Sequence, residues 1–280
     1  MNEPNLIERT ALVTGATDGL GRSVARALAR AGATTLVHGR RRERGEATVA
    51  EIRRETGNDR VELFLADLAE LGQVRQLAGE VEAAHPGLNL LINNAGIGSG
   101  LPDSRGRQES RDGHELRFAV NYLAGFLLTR LLVPVLRRNP PARIVNVSSL
   151  GQHPIDFDDP MITRGYDGSR AYAQSKLAQV MFTIALAERV PPEQVTVTSL
   201  HPGTYMPTKM VLEEVGRSVD SLETGSASVM RLALDPELDG VSGRFFDRQA
   251  EAAATAQAYD EGARERLWEL SDRLVGDAAA

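Results

Sequence analysis

The chain has no cysteine, which removes disulfide bonds, thiolate catalysis and cysteine-held metals together. Aromatic residues are scarce at 5%, with one tryptophan, so any aromatic packing rests on a few rings. Positive charge is not in excess. The net charge of −6 argues against a general nucleic-acid or anionic-membrane binder. No stretch near Met1 to Arg9 has the apolar core of a secretion signal. The most apolar run, Ala119 to Leu136, is interrupted by Asn121, Arg130 and Pro134, so it reads as a buried helix and not a membrane span. A soluble, cytoplasmic protein is the expectation. What is present is ordinary for such a protein: 280 residues, 42% hydrophobic and 25% charged, ample for a sizeable core.

Strand and helix signals alternate along the whole length, without internal repeat or interdomain linker. That pattern predicts one domain over 1–280 built on a doubly wound parallel sheet with helices on both faces. Strands are expected at 10–14, 34–38, 61–65, 89–92, 143–147, 195–200 and 243–246, seven in all. The longest helix is expected at 113–138. It is apolar nearly all round from Phe118 to Leu136, so a sheet would cover one face and a subunit partner another. A homodimer or homotetramer follows as an expectation. Residues 98–112 and 150–168 read as loops, and a terminal helix at 256–274 is anchored by Trp268 and Leu270.

Five places carry chemistry. After the first strand comes Gly15-Ala-Thr17-Asp18-Gly19-Leu20-Gly21, then a helix. Glycines let the backbone approach a pyrophosphate, and the helix N-terminus offers free N–H groups and a favourable dipole. The second strand ends in Gly39 followed by Arg40, Arg41 and Arg42. An acidic residue there would take a ribose hydroxyl; Arg40 instead suits a 2′-phosphate, which favours NADP over NAD. After the third strand, Asp67 either caps the next helix or meets an adenine amino group, with Leu68 beside it. The fourth strand ends in Asn93-Asn94-Ala95-Gly96, small residues and amides at a strand's carboxyl end, where an open α/β sheet binds ligands. Finally, Tyr172-Ala-Gln-Ser-Lys176 sits on a helix predicted from Ser169 to Val190. Four residues apart, the two side chains share a face, and an ammonium near a phenol would lower its pKa.

Other arrangements are weaker. His153 to Asp159 has metal-ligand residue types but a single histidine. Ser148-Ser149 lacks the glycine spacing of a nucleophile elbow, and His201, before Pro202-Gly203, reads as a packed strand-end residue. Asn121 stands in an apolar helix surface. It is either a satisfied buried amide or a group that holds a water or orients the lysine.

Taken in order, the glycine loop, Asn93-Asn94-Ala95-Gly96, the serines after strand five and Tyr-x-x-x-Lys closely resemble the short-chain dehydrogenase/reductase family, from about Thr10 to Leu274. The finer pattern resembles its retinol-dehydrogenase-like and protochlorophyllide-reductase-like branch: Asp112 to Leu123, Ser242 to Phe246, Arg266 to Ser271, and a wide gap between Ser149 and Tyr172. Asp18 and Gly39 depart from what that branch often carries, and Asp18 sets a negative charge near phosphate. The resemblance implies a single Rossmann domain and an NADP-dependent oxidoreductase acting on a small carbonyl or alcohol. Asn121, Ser149, Tyr172 and Lys176 match the catalytic set, and Pro202-Gly203-Thr204 match the segment beside the nicotinamide. Tyr172 would be general acid or base, Ser149 the hydrogen-bond donor to the substrate oxygen, Lys176 the tuner of the phenol and a ribose ligand, and Asn121 the holder of a water. Residues 150–168 and 204–219 would contact substrate. The alternative is a catalytically silent NADP-sensing protein on the same fold.

Overall fold

The computed structural model describes residues 6–100 and 106–276. Residues 1–5, within the stretch searched for a signal, and 101–105, within the predicted loop 98–112, lie outside the described residues. The elements in chain order are β1 (Thr10–Val13), α1 (Gly19–Arg30), β2 (Thr34–Gly39), α2 (Arg42–Thr56), β3 (Val61–Leu65), α3 (Leu71–Ala84), β4 (Leu90–Asn93), α4 (Ala124–Arg138), β5 (Ala142–Val147), α5 (Gly168–Ala187), β6 (Val195–His201), α6 (Lys209–Glu214), α7 (Leu222–Leu234), β7 (Arg244–Asp247), β8 (Ala250–Glu251) and α8 (Glu261–Val275).

Strands with few polar residues make a sheet buried on both faces. The order is β3-β2-β1-β4-β5-β6-β7-β8. The first seven run parallel, and β8 pairs antiparallel with β7. Eight strands therefore replace the seven expected. Two residues carry no periodicity that a sequence can display, and the reversal depends on Arg248 adopting a left-handed φ of 53°. Side chains alternate across the sheet with period two. Leu12, Leu91 and Ile144 enter the core that also holds residues of α3, α4, α5 and α8. Val13, Ile92 and Val145 enter the core that holds residues of α1, α2 and α7. The chain winds outward from β1 to β3, then crosses back to β4 beside β1. The carboxyl ends of β1 and β4 thus flank a switch point, where open α/β sheets leave a crevice.

The long apolar helix begins later than expected, with a single π-helical turn over Phe118–Leu123 that runs into α4. By length and composition the helix Phe118–Arg138 could cross a membrane, but 67% of its most apolar window is buried inside this structure. α8 packs on α5 and meets this helix at Phe126. Trp268 packs on Phe126 and Phe182, with ring centroids 5.4 and 5.9 Å away. The Arg130 and Arg189 guanidinium groups lie 5.1 and 4.3 Å from that indole ring. Tyr122 and Ser271 share a 2.7 Å hydrogen bond at the same seam. Part of the face assigned to a subunit partner is thus covered by the chain itself, while Leu131 and Val133 stay partly exposed and Pro134 is exposed. The terminal helix is also shorter than expected, because Asp260 caps α8 and leaves Ala256–Tyr259 as a separate 3₁₀ turn.

Candidate active site

The crevice is built from loops that four strands release at their carboxyl ends. After β1, Gly15 and Gly19 take left-handed φ values of 63° and 49°, which favour glycine. A Cβ on Gly15 would stand 2.8 Å from the Ala95 Cα, so the loops after β1 and β4 touch backbone to backbone. Thr14 locks them together: its hydroxyl accepts from the N–H groups of Asn94 and Ala95, both at 3.0 Å. The Asn94 amide donates back to the Thr14 and Gly15 carbonyls. Gly21 has no room for a side chain between Asn94 and the Gly15 carbonyl, and Leu20 is buried. Gly15, Gly19, Leu20, Gly21, Asn94 and Ala95 thus gather at one place, with Asn94 and Ala95 serving as braces.

His38 completes this brace and was not singled out from sequence. Its Nδ1 accepts from the Gly15 N–H at 3.1 Å, and its Nε2 lies 3.1 Å from the Ala66 carbonyl. Those partners set the tautomer, with the proton on Nε2. Burial pushes the imidazole pKa down to about 4.

Asp18 caps α1 by accepting from the Gly19 N–H at 2.8 Å, and it pairs with Arg44 at 2.5 Å. Its charge near the loop is therefore countered by an arginine that the sequence reading passed over. Arg40 and Arg41 are exposed, and neither has an ion-pair partner among the described residues. Thr17 packs against Gly39 at the end of β2. Asp67 does not cap α3. Its carboxylate turns back to accept from Ala69 N–H, and Asp112, far along the chain, accepts from Leu71 N–H instead. Leu68 is buried beside it. Glycine loop, helix N-terminus and free arginines have the donor chemistry for a dinucleotide phosphate.

The other half of the site comes from β5 and α5. Asp167 caps α5 by accepting from Arg170 N–H, which starts the helix one residue before Ser169. The Ser149 hydroxyl accepts from Gly151 N–H at 3.0 Å and lies near enough to the Tyr172 phenol to influence its titration. Ser148 turns the other way and donates to the Lys176 carbonyl at 2.7 Å. Burial is the largest influence on the Tyr172 phenol and pushes its pKa up; the nearby Ser149 hydroxyl opposes it, and Glu214 and Tyr205 add to it. Lys176 is itself buried, which lowers its pKa to about 7. Its Nζ lies 5.7 Å from the Tyr172 ring centroid and donates to the Val147 carbonyl at 2.9 Å and to Gln179 Oε1 at 3.0 Å. The expected depression of the phenol by the ammonium is not what this arrangement yields: burial raises the phenol's pKa and lowers that of Lys176.

Asn121 lies within the π turn. Its Oδ1 accepts from Ile97 N–H at 2.8 Å, and its Nδ2 donates to the Ile97 carbonyl and to Ser175 Oγ. It is a satisfied buried amide that ties the segment after β4 to α5. Gly96 sits directly above: a Cβ there would come 3.3 Å from Asn121 Oδ1 and 3.6 Å from Lys176 Nζ.

After β6, Pro202 and Gly203 are buried, and Thr204 N–H donates to Asp220 at 2.6 Å. Arg248 clasps the same carboxylate at 2.6 Å. Residues 205–219 leave and return through paired backbone bonds, Val219 N–H to the Tyr205 carbonyl and Asp220 N–H to the Thr204 carbonyl. This segment crosses the crevice. Thr208 packs over Gly19, and Glu214 accepts from the Ser99 N–H and hydroxyl and from the Gly100 N–H. Asp220, Arg248 and Glu214 were invisible in sequence because each acts on groups 16 or more residues away. His201 Nε2 meets Thr204 Oγ1 at 3.1 Å, in keeping with a packed role. Asp159 organises its own loop by accepting from Thr163 and Arg164, and no metal-type cluster of acidic and histidine side chains occurs among the described residues.

Comparison with known proteins converges on this geometry. The family model described as short chain dehydrogenase matches residues 9–216. Human retinol dehydrogenase 13 is 38% identical over 292 residues, which span 96% of this chain and 85% of that protein. The crystal structure of an uncharacterized protein from Mycobacterium paratuberculosis is 30% identical and superposes with a TM-score of 0.79, over 98% of this chain and 96% of that one. A short chain dehydrogenase from Escherichia coli CFT073, solved in complex with NADPH, is 27% identical with a TM-score of 0.70, over 89% of this chain and all of that one (100%). The chain belongs to the short-chain dehydrogenase/reductase family of oxidoreductases and resembles, within it, the retinol dehydrogenase-like branch.

Proposed function

We propose that the chain is an NADP-dependent carbonyl reductase, or alcohol dehydrogenase in the reverse sense, with Tyr172 as the proton-transfer group. The observation that carries this reading is the gathering of Ser149, after β5, with Tyr172 and Lys176 on α5, the Lys176 Nζ lying 5.7 Å from the Tyr172 ring centroid, on the crevice that the glycine loop also lines. The cofactor would be held by Gly15, Thr17, Asp18, Gly19, Leu20 and Gly21 at its pyrophosphate, and by Arg40 at a 2′-phosphate. Asp67 and Leu68 would meet the adenine. Asn94, Ala95, Gly96, Pro202, Gly203 and Thr204, with Tyr172 and Lys176, would line its nicotinamide half. When bound there, NADPH would supply the hydride for the substrate carbon.

The protein's part is to handle the oxygen. Ser149 Oγ donates a hydrogen bond to it and stabilises the developing negative charge. Tyr172 Oη gives its proton. A phenol pushed up by burial stays protonated at neutral pH, which suits the acid role and therefore reduction. Lys176, with a pKa near 7, can pass a proton onward to replace the one given. Asn121 holds the helix and the Ile97 segment in register around that lysine. The segments 150–168 and 204–219 surround the substrate, within a single domain spanning 1–280. Burial of the helix Phe118–Arg138 supports a chain that works without spanning a membrane, with the cytoplasm as its place.

The test is NADPH oxidation with a panel of aldehydes and ketones, followed by absorbance. Turnover should vanish in Tyr172→Phe while NADPH binding persists. Tight NADPH binding without turnover of any carbonyl would instead support a silent NADP sensor and sink the reading.

A further inference from the structure

Lys176 is a buried cation whose hydrogen-bond partners are both accounted for, and one of them has no assigned purpose. Its Nζ donates to the Val147 carbonyl and to Gln179 Oε1, one turn further along α5. Gln179 is buried, 5% exposed. Its side chain also lines a small cavity of about 10 Å³, with Thr14, Asn93, Ala95 and Asn121. That is room for one water molecule. The same cavity is lined by Asn93, whose Oδ1 is a buried acceptor without a partner. The Asn93 amide nitrogen is committed, donating to Thr129 and Asn146 at 2.9 and 2.8 Å, so the orientation of that side chain is set.

These facts orient the Gln179 amide. An ammonium only donates, so Oε1 must face Lys176; the Asn93 oxygen only accepts, so a donor must face the cavity. We propose that Gln179 is a positioning residue for Lys176: Oε1 takes a hydrogen bond from Nζ, while Nε2 and Asn93 Oδ1 hold one water in the cavity behind it.

An amide oxygen favours the charged lysine, against the burial that disfavours it. Gln179 therefore keeps Lys176 protonated higher in pH than burial alone allows. Other ionisable groups around the lysine are Tyr172 on its own helix and His201 on β6; Glu214 of α6 acts on Tyr172 from across the crevice. None of them accepts a hydrogen bond from Nζ in this structure.

The role in catalysis rests on the proposed function, so the test reads the lysine in two independent ways on the full chain. The first is urea unfolding as a function of pH. An unfolded lysine keeps its proton to a pH near 10, so stability climbs once the folded lysine has lost its own, and the onset of that climb reports Lys176. The second is the pH profile of kcat/KM for NADPH-dependent reduction. Gln179→Met should move both onsets down by about one pH unit, and Gln179→Glu should move both up by about one unit. A crystal structure of the wild type should hold a water between Gln179 and Asn93 that the Met variant lacks. Onsets that stay put, or that move the same way in both variants, overturn the proposal, as does a dry cavity in the wild type. Unfolding onsets that move oppositely in a protein that reduces no carbonyl would leave Gln179 its role and remove the reductase reading.

Discussion

Acidification should strip the cofactor loop of its brace before it unfolds the sheet, and His38 is the group through which this happens. The folded imidazole is 3% exposed, and burial lowers its pKa from 6.5 to about 4; protonating it would also break the bond that its Nδ1 accepts from Gly15. A base whose folded pKa is depressed binds fewer protons folded than unfolded between the two values. Stability therefore falls as pH drops from about 6.5 to about 4, and this contribution levels off below. Two and a half pH units correspond to roughly 3 kcal/mol from this one residue. The assay is urea unfolding at half-unit steps from pH 7 to 4, for the wild type and His38→Asn. Asparagine keeps an acceptor near the Nδ1 position and does not titrate. Wild-type stability should lose roughly 3 kcal/mol more than the variant across that range. NADPH affinity should fall over the same window in the wild type alone. A difference between the two proteins that is flat with pH would refute the reasoning.

Two further outcomes follow from the cofactor face and from the covered helix. Arg40→Ala should weaken NADPH binding about tenfold and leave NADH binding almost unchanged, as read by fluorescence titration, since only NADPH offers a phosphate to the lost guanidinium; an equal loss for both would place Arg40 elsewhere. Trp268→Ala should cost about 3 kcal/mol, the low end for a truncated tryptophan because the ring is only partly buried, and should make the protein self-associate in light scattering as Phe126 and Phe182 become exposed. A loss under about 1 kcal/mol would mean that α8 contributes little to the core.

Much of the scaffold can be read locally. Gly15 to Gly21 sits between a short apolar run and a helix, and the Tyr172 to Lys176 spacing needs only one helical turn to put both groups on a face. The fold class and the candidate residues at the crevice stem from such short-range signals. What escaped the sequence reading depends on contacts far apart in the chain. Asp112 caps α3 from 41 residues away, as Leu71 N–H donates to it. Arg44 neutralises Asp18 across the first βα unit, and His38 reaches Gly15 from the neighbouring strand. The raised Tyr172 phenol has the same root: the neighbouring lysine is foreseeable from spacing, but the burial that raises the phenol and lowers the lysine is a property of the assembled crevice. Gln179 carried no signal at all, because a glutamine on an apolar helix is distinguished only by what it turns out to face.

The position of α8 has a bearing on how the chain comes to be folded. It follows every strand in chain order, yet it seals the aromatic seam formed by Phe126 on α4 and Phe182 on α5. A ribosome emits residues from the N-terminus, so that seam leaves the exit tunnel well before its cover does. Through that interval the nascent chain can pair its strands but must carry an open greasy face, and a stalled or prematurely terminated product would carry it permanently. Such fragments should be what chaperones and proteases meet, and the completed protein should escape them only once Trp268 has been made.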